Sequence, residues 1–78
     1  MSHIEVVKSE HSRAFILAAL DYEIICTRVC QRKALDAADQ CFLDGAPMGE
    51  HMWLTSANAL GRRSDDLLER RLQVATTH

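Results

Sequence analysis

The sequence predicts an all-α protein, an antiparallel hairpin of two long helices that self-associates into a four-helix bundle. Three observations predict it. Residues 9–43 contain neither Gly nor Pro. Asp44-Gly45-Ala46-Pro47 is the one strong break in the chain, followed by a second helical stretch. Along both stretches, small and apolar residues recur at steps of three and four, the spacing of one helical face.

Each element follows in order. Residues 1–8 read as a short N-terminal arm, with the apolar Ile4, Val6 and Val7 suited to an extended chain. Ser9 suits an N-cap with Glu10 in the first turn. The first helix then runs over about 9–43, roughly 50 Å at 1.5 Å per residue. In the turn over 44–47, Gly45 suits a left-handed C-cap and Pro47 the first turn of a new helix. The second helix runs over about 47–75, and its apolar face keeps phase through Gly61. Residues 9–76 therefore form a single hairpin domain.

A short turn sets the register, so facing positions sum to about 91, within roughly one helical turn. That pairs a small stripe on helix one (Ala19, Cys26, Cys30, Ala34, Ala37, Cys41) with a small stripe on helix two (Ala57, Gly61, Ser64). Cys30 should face Gly61, and Ala34 should face Ala57. The cysteines read as spacers for close packing rather than as metal ligands, and a bulky side chain at Gly61 should force the helices apart. Leu54, Leu68, Leu72 and Ala75 continue the face of helix two, with Trp53, Leu60, Leu67 and Val74 on its flank. Glu23 and Arg71 fall on apolar faces within about a turn of each other, which predicts a register-fixing ion pair.

Helix one is apolar beyond that stripe. One flank carries Phe15, Ala18, Tyr22, Ile25 and Val29; the other carries Leu20, Ile24, Leu35, Ala38 and Phe42. One partner helix cannot cover both, which is the reason to expect a homodimer or higher oligomer with helix one at its centre. A chain of 78 residues is also short for a self-sufficient core.

Composition narrows the function classes. The net charge is −2 and 47% of residues are hydrophobic, which argues against a dedicated nucleic-acid binder. No segment reads as a signal peptide or a membrane span, and three cysteines in helical patterns suggest reduced thiols in a cytoplasmic protein. Cys41 and His51 are a pair of the kind that begins a nucleophilic site, but no orienting acid or oxyanion loop accompanies them. The expectation is therefore no enzyme, no cofactor and no metal. The expected activity is protein–protein interaction as a regulator, inhibitor or adaptor. Its partner surface is expected at the hairpin tip, where Phe42, Leu43, Met48 and Met52 gather large apolar side chains, unless the arm of a second subunit covers them. The alternative is nucleic-acid backbone binding through Arg28, Arg32, Arg63 and Arg70. Interleaved acids (Asp36, Asp39, Asp65, Asp66, Glu69) make that the less favoured reading.

Overall fold

A computed structural model describes the backbone of residues 3–76 and the side chains of residues 11–76. The chain folds into α1 (His3–Leu43) and α2 (Pro47–Thr76), antiparallel across a tight turn, in a rod of 65 × 14 × 12 Å. The expected hairpin is present. Helix one starts earlier than expected: residues 3–8 continue α1 rather than forming an extended arm, and Ser9 is interior. No Gly or Pro opposes this, and each residue added to an existing helix gains a backbone hydrogen bond. Whether Ile4, Val6 and Val7 cover a tip concerns side chains outside the described residues. α2 continues unbroken through Gly61 and Ser64.

The turn closes as its sequence requires. Gly45 adopts φ 70°, the left-handed conformation in which a side chain is strained. Ala46 N–H donates to the Cys41 carbonyl (2.8 Å) and Gly45 N–H to the Phe42 carbonyl (3.2 Å). These are the two bonds of a Schellman cap, satisfying carbonyls that the helix end would orphan. The Gln40 amide donates to Asp44 Oδ1 (3.0 Å) and braces the same turn. Glu50 N–H returns to the Ala46 carbonyl (3.0 Å) as α2 begins at Pro47.

Along α1 the side chains turned to α2 are Leu17, Leu20, Ile24, Thr27, Gln31, Ala34, Ala38 and Cys41; along α2 they are Ala57, Leu60, Ser64, Leu67, Arg71 and Val74. Both series alternate steps of three and four, the heptad pattern of two helices wound about each other. Large apolar side chains hold the open end, where Leu20, Ile24 and Leu67 form the buried cluster with Val74 against it. Each contributes about 1.5–3 kcal/mol by leaving water. Toward the tip the seam narrows to Ala34, Ala38 and Ala57, each almost wholly covered.

The register agrees with the turn argument, but the face of α1 is rotated by one residue over 19–31. Ala34 and Ala57 are both buried, whereas Ala19, Cys26 and Cys30 are exposed. Thr27 and Gln31 take the seam instead. The buried Thr27 hydroxyl donates to the Glu23 carbonyl (2.7 Å), so it enters without an unpaired polar group. Gln31 fits because Gly61 faces it: a Cβ at Gly61 would lie 2.8 Å from Gln31 Nε2. The expected Cys30–Gly61 contact is thus Gln31–Gly61, and its neighbour is the movable end of a long side chain rather than a second backbone. On α2, Leu67 and Val74 enter the seam while Leu68, Leu72 and Ala75 lie outside it. The glycine with the less yielding neighbour is Gly49, where a Cβ would meet Cys41 Sγ at 2.9 Å and Cβ at 3.7 Å.

Candidate functional site

In the heptad frame, α1 residues 15, 18, 19, 22, 25, 26 and 29 lie on the side turned away from α2. They are Phe15, Ala18, Ala19, Tyr22, Ile25, Cys26 and Val29, and all are exposed. Phe15, Tyr22 and Ile25 keep 76%, 71% and 62% of their surface in water. Ile16 widens this face, and an open, mainly apolar groove runs along its side over Phe15, Ile16, Ala19, Leu20 and Tyr22, with Glu23 and, from α2, Arg70 also lining it. Continuing the same outward face toward the tip gives Arg32, Lys33, Asp36, Asp39 and Gln40, and Arg32 pairs with Asp36 at 3.5 Å. The outer face of α2 is polar over its middle, with Asn58, Arg62, Asp65, Asp66 and Glu69 exposed.

Tyr22 and Cys26 sit one turn apart on the apolar face. A hydrogen bond with Cys26, followed by the nearby thiol's charge and then burial, raises the Tyr22 phenol above its ordinary value. The free thiols Cys26 and Cys30 are therefore surface groups rather than packing spacers.

The tip residues Phe42, Leu43, Met48 and Met52 are also largely exposed, and Phe42 lines a shallow hollow with Gly45, Ala46, Pro47 and Glu50. They lie at one end of the rod, while the Phe15–Val29 face is centred near the middle of α1. The tip was legible as an apolar cluster beside a turn. The outer face was legible as a flank of helix one, but its full exposure follows only from which flank the seam takes.

The charged residues are rearranged relative to expectation. Arg71 pairs with Asp21, Nε bonding Oδ1 and Nη2 lying 3.4 Å from Oδ2, and this contact raises the guanidinium's pKa further. The expected Glu23–Arg71 pair is therefore replaced by Asp21–Arg71. Glu23 instead lines a groove with Arg62, Arg63, Arg70 and Asp66. Of the four arginines considered for nucleic acid, Arg63 and Arg70 share that groove, while Arg28 and Arg32 do not line it. Cys41 lies against Gly49, whereas His51 is exposed. Among the described residues no three His, Cys, Asp or Glu side chains are grouped to hold a metal ion, and no helix is long and apolar enough to cross a membrane.

No known protein family, curated protein or solved structure gives a match to this chain.

Proposed function

We propose that this chain is a non-catalytic interaction protein that works as a homodimeric helical bundle and presents its hairpin tip to another protein. The observation that carries the reading is the amount of apolar surface left open on a small rod. A compact monomer of 8.8 kDa exposes about 4,800 Å² by the usual size scaling, and this chain exposes 6289 Å². The excess is on the order of what a specific interface buries. The exposed large apolar side chains, which gain by leaving water, include those of the outer face of α1 and of the tip. Two hairpins joined through α1 form a four-helix bundle in which that helix has cover on both sides. The tips then remain free, and Met48 and Met52 supply the adaptable apolar contacts suited to a partner.

Sedimentation equilibrium tests the first half of this reading. The expected species at micromolar concentration is a dimer, and a folded monomer overturns it. Met48→Lys with Met52→Lys tests the second half: the dimer should persist while capture of a protein partner is lost.

Arg62, Arg63 and Arg70 on one groove favour a second reading, contact with a nucleic-acid backbone. Glu23 and Asp66 in the same groove oppose it. Retention on a polyanion column that falls steeply with salt, and disappears in Arg63→Glu, would select it.

A further inference from the structure

We infer that the outer face of α1 is closed by the same face of a second copy, running antiparallel, with the two-fold axis at Tyr22. This rests on the dimer proposed above and specifies which surface forms it and in which direction.

The face ends at Phe15 on one side and Val29 on the other, beyond which Arg32 and Lys33 begin a charged stretch. Its midpoint is Tyr22. An antiparallel pairing about that residue sets Phe15 against Val29, Ala18 against Cys26 and Ala19 against Ile25. Each of these pairs off the axis sets a larger side chain against a smaller one, the condition for interdigitating layers without voids. A parallel pairing stacks Phe15 on Phe15 and Ile25 on Ile25 while leaving a gap at Ala18 and Ala19. Other antiparallel registers leave Phe15 or Val29 uncovered. At the axis the two Tyr22 rings meet each other, an arrangement that offset aromatic pairs favour.

This register brings Asp21 near Glu23 of the copy. Asp21 is bonded to Arg71, which offsets its charge, while Glu23 is exposed and lines both the apolar groove and the groove of Arg62, Arg63 and Arg70. The outer face of α2 is polar over its middle, where Arg62, Asp65, Asp66 and Glu69 are exposed, and makes a poor alternative occupant. The area is also sufficient. Buried aromatics contribute about 150–250 Å² each, so Phe15 and Tyr22 with Ile16, Ile25 and Val29 supply roughly 600 Å² per copy. The pair then buries about 1,200 Å², the lower bound of a stable interface.

The test uses the full chain carrying Cys30→Ser and Cys41→Ser, so that Cys26 is the sole thiol, with and without Ala18→Cys. Circular dichroism checks that both remain helical, and sedimentation equilibrium gives their mass. Copper phenanthroline with dissolved oxygen then oxidises facing thiols: each pair loses two protons, passes two electrons to the oxidant and forms one disulfide. Within one chain, positions 18 and 26 are about 12 Å apart along the helix, too far to bridge. The expected result is a dimer whose Ala18→Cys form cross-links between copies at least tenfold faster than the Cys26-only form. Three outcomes overturn the proposal. Rapid Cys26–Cys26 linkage in the Cys26-only dimer makes the helices parallel. A dimer that links in neither form dimerises through another surface, which leaves the proposed function standing. A folded monomer removes both.

Discussion

Two stretches of α1 face away from α2 in the same way, residues 15–29 and residues 32–40, and they differ in what they offer to water. The first presents Phe15, Tyr22, Ile25 and Val29; the second presents Arg32, Lys33, Asp36 and Asp39. Backbone, helix and orientation are common to both. Helix formation and the intrachain seam therefore do not account for the apolar half. In the charged half, the side facing α2 uses small residues, Ala34 and Ala38. In the apolar half it uses Leu20 and Ile24. The open half is built with bulk on two sides, as a helix between two partners is; the tip half is built with bulk on neither.

The largest break in that comparison comes from adjacent residues. Ile24 faces the seam and Ile25 the outer face. Ile24→Ala should lower the stability of the fold by about 2–4 kcal/mol, read by chemical denaturation, because it empties a buried site. Ile25→Glu should leave helicity intact but weaken the proposed dimer at least about a hundredfold, as expected for a charge placed among the anchors of that interface. The matching change in the charged half, Asp39→Lys, should alter neither quantity beyond about 0.5 kcal/mol.

The two glycines sharpen the contrast between tight and loose parts of the seam. Gly61→Ala meets only the end of the Gln31 side chain. It should stabilise by up to about 1 kcal/mol through helix propensity. Gly49→Ala meets the short Cys41 side chain beside the turn. It should destabilise by about 1 kcal/mol, since Cys41 has little room to yield. Thermal denaturation of the two variants should move in opposite directions.

A smaller effect reads the apolar face directly. Tyr22 is the chain's one tyrosine, so ultraviolet absorbance follows its ionisation alone. The midpoint should lie above the ordinary phenol value of about 10, and Cys26→Ala should bring it down, since the bond with Cys26 is the leading cause of the shift. Because the folded-state value is the higher one, any linked stability is fully present at neutral pH. It is lost as pH rises through the folded-state value.

Smallest of all is the ion pair. Arg71→Gln should lower the melting temperature slightly, and Asp21→Arg with Arg71→Asp should restore it. Glu23→Gln should have no comparable effect, since Glu23 is not the partner. A pair this exposed to solvent contributes little, and more salt should shrink the difference further.

Much of the fold was legible because it depends on residues with strong local preferences. Gly45 and Pro47 mark the turn through backbone geometry alone, and the length of that turn fixes which residues stand opposite each other. Ala34 opposite Ala57 follows from it directly. The phase of α1 was harder to read. Ala, Cys and Gly fit a tight contact and an open surface equally well, so the stripe through Cys26 and Cys30 carried no information about direction. Polarity gives no pointer to the seam positions Thr27 and Gln31 either. Their burial depends on partners a sequence pattern does not display, the Glu23 carbonyl one turn back and the empty space at Gly61 on the other helix. The apolar tip was legible at once, because Phe42, Leu43, Met48 and Met52 gather four large apolar side chains beside a single turn. The outer face emerged only when the seam was placed on one flank of helix one, leaving the other in water.

The sequence by itself determined two helices, their boundary at Asp44–Pro47 and the register between them, because cap and turn chemistry is local and a short turn permits one alignment. Only the tertiary structure decided which way α1 is rotated. A lone helix repeats every 3.6 residues, while a seam between two wound helices repeats every 3.5. Tracing one helix therefore drifts off the contact line by a residue, and that residue separates a buried cysteine from an exposed one and Glu23 from Asp21 as the partner of Arg71.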